Sequence, residues 1–539
     1  MKVNFKRFLA VVLSVCMTAL LFTGCKGKNS KVVLKWGFSG ALGCKDDDLV
    51  HKEFNKKLNE LMPGVQVEFI DQSTSNWSLW MNAGDQVDIA WSGYQYDVES
   101  EITKGAYSEL DGLINEKDTP NIYQEMKDYP EDYYSGTYKD KLYMLPIQQP
   151  IFTQSARLDI PAELYQYMNV DALLNAAHAS TKTTRAVYDE ITKFLEKVWA
   201  ANAYDTDTIG NGIDVITLGK ILSKRGYDFV GAQSFNGANL CYDAFDDNAQ
   251  LVNFAETDAY KLFLEYAGKW YNAGYIPEDV LTSNGGGTRS AVISANASGM
   301  WYGTDNPETG EARGVSYIKN NGEIGTYGLL LDTTDQQFNG TSTLGSEATY
   351  QVIPITAKYP KEAIQLLDLL RSPVGTPGND LANLLCYGFE KNSDYAKKYD
   401  TYHYTLNGTC AQGVDYTVQP SSNCKYGKCF WTVTNTYLLY HTPVILDGQS
   451  EWALDFEKNV RPTLHKTPYY RFRADFSSML TDVSNISSVT KEFNEQLLSG
   501  LNGSKWNTPY EQMMKKMKDA KLENVKSEIQ KQMKAYKPQ

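Results

Sequence analysis

Residues 31–91 alternate between two hydrophobic periods, and that alternation restricts the chain to a small set of folds. Val32-Val33-Leu34-Lys35-Trp36 is a short β-rich run. Asp46-Asp47-Asp48 then offers cap carboxylates to a segment carrying Leu49, Val50, Phe54, Leu58 and Leu61 at helical spacing, which Pro63-Gly64 stops. Val65-Gln66-Val67-Glu68-Phe69-Ile70 alternates as a strand, residues 76–83 can form a turn of helix, and Val87-Asp88-Ile89-Ala90-Trp91 is a third strand. This β-α-β-α-β order predicts an α/β fold with a mostly parallel sheet and crossover helices. Ligands of such sheets gather beyond the carboxyl ends of the strands. Trp91 and the following Ser92-Gly93-Tyr94-Gln95-Tyr96 therefore stand where a ligand is expected.

Upstream of that pattern, Lys2, Lys6 and Arg7 precede an apolar run over residues 8–22. The run is shorter than the roughly 20 residues needed to span a bilayer, and it has the form of a secretory signal. It ends in Leu21-Phe22-Thr23-Gly24-Cys25, followed by polar Lys26-Gly27-Lys28-Asn29-Ser30. The junction resembles the lipobox of bacterial lipoproteins, whose cysteine receives a diacylglycerol and becomes residue one of the mature chain. Phe22 departs from the usual leucine, although Leu21 is adjacent. Residues 1–24 are read as the signal peptide and Cys25 as the lipidation site, with a plain cleaved signal as the alternative. No second long apolar run follows. The body is thus read as soluble and tethered to the outer face of the cell membrane, each buried CH₂ of the anchor contributing about 0.8 kcal/mol.

The 52 basic residues against 65 acidic ones leave a net charge of −13, which argues against nucleic-acid binding. The histidines 51, 178, 403, 441 and 465 show no metal-ligand spacing. At roughly 100–200 residues per domain, 539 residues allow several domains with sizeable cores. Beyond the leader and Cys25, the cysteines are 44, 241, 386, 410, 424 and 429, an even set that permits disulfides outside the cell. Cys410, Cys424 and Cys429 are close in sequence, but spacing does not decide their pairing.

A second segment begins near Pro150. Residues 183–200 are helical, with Tyr188, Ile191, Leu195, Val198 and Trp199 on one side. Residues 242–254 read as a hairpin around Asp246-Asp247-Asn248, and residues 258–272 as a helix capped by Asp258 and closed by Ala273-Gly274. Ser283-Asn284-Gly285-Gly286-Gly287-Thr288 is the clearest break, and the tail from about Lys505 is charged and helical.

Three further stretches carry a resemblance. Tyr138-Lys139-Asp140-Lys141-Leu142-Tyr143-Met144-Leu145-Pro146 resembles the hairpin at which extracellular solute-binding proteins cross from one lobe to the other. Ala348-Thr349-Tyr350-Gln351-Val352-Ile353-Pro354-Ile355-Thr356-Ala357 and Tyr359-Pro360-Lys361-Glu362-Ala363-Ile364-Gln365-Leu366-Leu367-Asp368 are similar to that family's I-P-A-x-S-x-N-P-E-x-A-x-x-L-L segment. Asn383-Leu384-Leu385-Cys386-Tyr387-Gly388-Phe389-Glu390 and Glu528-Ile529-Gln530-Lys531-Gln532 resemble a subgroup of large lipoproteins of this kind. The order of these pieces, with the lipobox, covers nearly the whole mature chain; little aligns over residues 151–200 and 401–452.

The resemblance implies a binding lipoprotein of an ABC importer, of the large sugar or oligosaccharide type (family 1-like), monomeric, without enzymatic activity or cofactor. Its partners would be a small-molecule sugar, the permease subunits and, through lipid, the membrane. It implies a two-lobe, type II periplasmic-binding-protein-like fold with a hinge. Lobe one is placed at 31–149 plus 295–357, and lobe two at 150–294 plus 358–539.

A neutral sugar presents C–H faces and a hydroxyl rim, so its site favours flat aromatic rings and planar polar side chains. The chain has 10 Trp and 37 Tyr. Trp36, Trp199 and Trp270 lie within regular strand or helix patterns and are read as core. Trp91 and Trp301 are the first candidates for ligand contact, followed by Trp77, Tyr94, Tyr96 and Trp431, with Asp97, Gln148 and Asn306 as hydrogen-bonding partners. Asp205-Thr206-Asp207-Thr208-Ile209-Gly210-Asn211-Gly212-Ile213-Asp214 resembles the calcium loop of relatives in this subgroup. Ile209 and Ile216 fall where ligands are needed, so an Asp/Gly surface turn is the better reading and no metal is assigned. The competing function is a secreted lipoprotein glycan hydrolase using paired carboxylates, for which no motif singles out a pair.

Overall fold

The computed structural model describes residues 31–39, 43–93, 96, 98–148, 156–204, 212–230, 238–281, 291–296, 315–320, 323–340, 349–407, 410–412, 425–427, 432–435, 438–439 and 459–536. Among these, no helix is long and apolar enough to cross a membrane. In chain order the strands that build the sheets are β1 (Val32–Ser39), β2 (Val65–Gln72), β3 (Ala90–Gly93), β4 (Met144–Pro146), β5 (Arg157–Pro161), β6 (Tyr227–Val230), β7 (Leu240–Asp243), β8 (Val252–Asn253), β9 (Ser294–Asn296), β10 (Val315–Asn320), β11 (Glu323–Leu330) and β12 (Thr349–Val352).

The chain is α/β and gathers into two main cores. In lobe one, β1 pairs with β2 in parallel along its whole length, from Val32 opposite Val65 to Ser39 opposite Gln72. A parallel bridge between Trp36 and Ile89 brings β3 to the other side of β1. β12 then lies antiparallel between β3 and β4, giving the order β2-β1-β3-β12-β4. The helix Asp47–Leu61 covers this sheet through Val50, Phe54 and Leu58, the helical stripe read from the sequence. Its expected carboxylate cap is absent: Asp46 makes no cap bond, and Asp47 Oδ2 instead accepts the N–H groups of Gly43 and Cys44 at 2.8 and 3.1 Å.

Lobe two is built on two antiparallel sheets, β9-β5-β11-β10 and β8-β7-β6. Against them pack the helices Arg185–Ala200, Asp258–Asn272, Leu480–Leu498, Asn507–Asp519 and Leu522–Ala535. Trp270 is wholly buried at their centre and donates its indole N–H to Thr192 Oγ1 at 2.9 Å. The hairpin expected around Asp246 forms between β7 and β8.

Three sequence expectations need correction. The sheets are not mostly parallel: among the described ladders of the three sheets above, parallel pairing is confined to β1, β2 and β3. β12 reverses because it returns from the other lobe, and β6–β7 and β10–β11 are joined by connections too short for a parallel crossover. The lobe boundaries also shift. Ala295, Leu329 and Leu331 belong to the lobe-two core because β9 and β11 pair with β5, whereas Ala363, Leu381, Tyr404, Tyr426 and Val433 pack in lobe one. Finally, the helix Asp258–Asn272 is capped by Thr257, whose side chain accepts the N–H of Tyr260 at 3.2 Å; Asp258 is already helical.

Candidate ligand-binding site at the lobe junction

The carboxyl ends of β2 and β3 meet over Gly37, and the missing side chain there decides the local arrangement. Gln72, the last residue of β2, reaches across β1 to β3; a Cβ at position 37 would stand 2.7 Å from its Oε1. The Gln72 amide accepts from Trp91 N at 3.0 Å and donates to Trp91 O at 2.7 Å and to the Tyr96 hydroxyl at 3.0 Å. It therefore performs the work of a strand pairing that β1 blocks, and it pins Tyr96 by its phenol oxygen. Burial raises the Tyr96 phenol above its ordinary range, while the Gln72 bond pulls the other way.

Tyr96 stands edge-on to two indoles, with ring centroids 5.7 Å from Trp91 and 6.1 Å from Trp77. Trp91 and Trp77 are each only 2% exposed, whereas Tyr96 is half-buried. The Trp77 N–H is taken by Glu101 Oε2 at 2.9 Å and its ring lies 5.7 Å from Tyr107, so Trp77 is a packing residue of this cluster. Ser92 and Tyr107 exchange a hydroxyl bond at 2.8 Å beneath it. Of the sequence candidates, Trp77, Trp91 and Tyr96 are thus brought together, and Tyr96 alone among the three has a substantial exposed face.

Gln148 lies elsewhere, in a buried polar node from which the chain leaves lobe one. Its Nε2 donates to Asp132 Oδ2 at 2.7 Å and its backbone N–H to Asn435 Oδ1 at 2.7 Å. Asn435 donates to Glu125 Oε1 at 2.7 Å, and Tyr133 OH to Glu125 Oε2 at 2.8 Å. Arg371 places Nε 3.2 Å from Glu125 Oε2 while donating to Gln351 Oε1 at 2.7 Å and Pro146 O at 3.1 Å. Gln351 in turn donates to Val433 O at 2.8 Å. Residues 146–148, 351 and 433–435, drawn from three separate stretches of lobe one, are all fastened to this one node. Burial raises the Glu125 carboxyl to about 7 against the opposing pull of Arg371.

On the lobe-two side the crossings are fastened again. Asp332 accepts from Ala156 N at 2.8 Å and from Arg225 Nε at 2.8 Å, and Arg225 also donates to Leu331 O at 2.8 Å. Phe338–Asn339 pairs in parallel with His465–Lys466, and Thr467 donates to Asp228 Oδ2 at 3.0 Å beside Tyr242. Gln148 thus makes its hydrogen bonds within the protein, to Asp132 and Asn435.

Cys25, Tyr94, Asp97, Trp301, Asn306 and Trp431 lie outside the described residues, as do Asp205–Asn211 of the candidate calcium loop and Cys424 and Cys429. Among the described residues, no group of three or more His, Cys, Asp or Glu could hold a metal ion. Cys241 is a buried free thiol that burial pushes far above the usual thiol range. Sequence reasoning missed Gln72, although its place at the end of a recognised strand marked it. It also missed Glu125, Arg371 and Asn435, whose meeting joins residues hundreds of positions apart and leaves no local signal.

Residues 468–538 match a family described as a domain of unknown function (DUF3502). The chain is similar to a carbohydrate ABC transporter substrate-binding protein of Streptococcus pneumoniae serotype 4, with 21% identity over 458 residues, covering 84% of this chain and 80% of that protein. It superposes on the N-glycan transport solute-binding protein (NgtS) of Streptococcus pneumoniae with a TM-score of 0.65 at 18% identity, covering 94% of this chain and 99% of the other. The same protein in complex with Man1GlcNAc gives a TM-score of 0.63 at 18% identity and the same coverage. An extracellular solute-binding protein of Bifidobacterium longum subsp. infantis gives 0.54 at 14% identity, covering 95% and 100%. The fold is that of the two-lobe solute-binding proteins.

Proposed function

We propose that this protein is the substrate-binding component of an ABC importer, capturing a sugar or oligosaccharide between its lobes and handing it unaltered to a permease. The observation that carries the reading is the half-buried Tyr96, fixed at the carboxyl end of β3 in a two-lobe sheet order, beside the crossings. Such a ring suits the C–H face of a sugar. The names of the similar proteins, a carbohydrate-transport component and an N-glycan-transport component, support the same class. The finer reading is that Cys25 carries the lipid that holds a monomer at the outer face of the cell membrane.

A sugar that touches both lobes stabilises the closed arrangement only as far as it binds that arrangement better than the open one. The test is a thermal-shift screen with Man1GlcNAc, maltotriose and kestose, followed by mass spectrometry of the recovered sugar. A probe at 100 times its Kd raises stability by about 2.7 kcal/mol and returns intact. Recovery of cleaved sugar would establish the hydrolase instead, and no shift with any probe removes the sugar assignment.

A further inference from the structure

Residues 467–475 form an arm that is held from behind by lobe two and grips lobe one in front. Behind it stands the C-terminal helix Leu522–Ala535, seated in the lobe-two core by Val525, Ile529 and Met533, all fully buried. Gln532 bonds both backbone groups of Asp475, accepting its N–H and donating to its carbonyl at 2.9 Å each. Tyr536 OH donates to Tyr470 O at 2.8 Å, and its ring lies 5.4 Å from Phe472.

In front of the arm is Tyr134, in the helix Pro130–Ser135 of lobe one. Its hydroxyl donates to Arg471 O at 2.8 Å, and the Arg471 guanidinium sits 4.4 Å over its ring. Arg473 donates to the carbonyls of Tyr134 and Ser135 at 3.1 Å each. Those are end-of-helix carbonyls, where a cation is favoured by the helix dipole as well as by direct bonding. Arg471 adopts the left-handed region at φ +63°, uncommon for a residue with a side chain, while its N–H donates to Gly340 O at 3.3 Å. The gripped helix is not loose on its own lobe: Tyr350 OH of β12 donates to Ser135 Oγ at 3.2 Å, and Asp132 is bonded by Gln148.

We propose that the role of residues 468–538 within this chain, the stretch matched by the domain of unknown function, is to seat Tyr134 of lobe one on lobe two and so set the angle between the lobes. The helix Leu522–Ala535 positions the arm, the arm clamps Tyr134, and Tyr134 carries the lobe-one node. Every contact in this chain joins one protein group to another, so the clamp does not depend on which molecule is bound. It adds a fixed bias to the closure equilibrium, which a ligand then works with or against.

The test is double electron–electron resonance on the ligand-free protein, with spin labels attached through azide-bearing residues at Leu79 of lobe one and Lys193 of lobe two, both exposed. Tyr134→Ala and Arg473→Leu are expected to roughly double the width of the distance distribution, and Arg473→Lys to recover part of the wild-type width. Tyr134→Phe loses only the hydroxyl and takes the place of the alanine variant if that one does not fold. Gln532→Leu, which is bonded to the arm and not to lobe one, is expected to broaden the distribution as well; a purely local packing role would lower its melting temperature and leave the width unchanged. Wild-type widths in the Tyr134 and Arg473 variants overturn the clamp, and a wild-type width in Gln532→Leu overturns the role given to the C-terminal segment. No sugar is used, so the outcome is separate from the success or failure of the transport reading.

Discussion

Arg371 Nε and Glu125 Oε2 meet at 3.2 Å in the interior of lobe one, and between them they bond Pro146, Gln351 and Asn435, from three separate stretches of the chain. The same burial that makes the pair costly raises the Glu125 carboxyl from 4.5 to about 7. A carboxyl raised on folding binds its proton more tightly in the folded state. Its contribution to stability is therefore fully present below pH 4.5 and is lost as the pH rises through 7. Between pH 5 and pH 8 the wild-type protein is expected to lose on the order of 1–3 kcal/mol relative to Glu125→Gln, whose own stability should lack this slope. Urea unfolding at half-unit pH steps measures it, and parallel pH profiles of the two proteins reject it.

His403 supplies the opposite slope. Its Nδ1 accepts the N–H of Phe389 at 2.7 Å, so Nε2 carries the proton and faces Asp46 Oδ2 at 3.2 Å. Burial holds the imidazole below its usual range despite Asp46. A depressed folded value means that stability is complete above about pH 6.5 and falls as the pH drops below it. Nitrogen NMR should find His403 neutral, with the proton on Nε2, at a pH where an exposed histidine is half charged. His403→Gln should remove the acid-side loss while lowering stability at pH 8 by roughly 1–2 kcal/mol.

Local periodicity carried the first half of lobe one. The stripe Val50, Phe54, Leu58 and the strands around Trp36 and Val67 each followed from neighbours within one turn or one pleat. Wherever placement depends on a distant partner, that information was missing. Whether β11 joins β5 or β3 is settled by pairing across some 170 residues, so residues 295–296, 315–320 and 323–330 were read into lobe one although they pair with the lobe-two strand β5 or its neighbour β11. The aromatic content of the sequence put Trp91 ahead of Tyr96 as a candidate, whereas the structure buries Trp91 to 2% exposure and leaves Tyr96 half-buried. How deeply each side chain sinks is a matter of distant contacts, among them Gln72 passing over Gly37 to bond Trp91 and Tyr96.

Gly340 lies where the second crossing passes the buried Asp228. A Cβ there would come within 2.5 Å of the Asp228 carboxylate, which is already engaged by Tyr242 and Thr467. The carboxylate cannot retreat without giving up the bonds from those hydroxyls. Gly340→Ala is expected to cost about 2–4 kcal/mol by chemical denaturation, whereas Gly274→Ala, whose Cβ meets nothing within 4 Å, carries only the strain of its own backbone.

Trp91 and Tyr96 should separate packing from ligand contact. Trp91 is 2% exposed, so Trp91→Ala opens a cavity and is expected to lower stability by about 3–5 kcal/mol, obscuring any effect on binding. Tyr96→Ala removes a half-buried ring and should leave the protein folded while weakening a bound sugar by roughly tenfold or more. Gly37→Ala reaches the same end without touching either aromatic residue: the new Cβ displaces Gln72 Oε1, and the amide that pins Tyr96 is lost. If calorimetry with whichever of Man1GlcNAc, maltotriose or kestose binds the wild type gives equal affinities for Tyr96→Ala and wild type, Tyr96 is not the ring on which the sugar rests. A loss in Gly37→Ala matching that in Tyr96→Ala, with no further loss in the double variant, shows instead that the glycine acts through that ring.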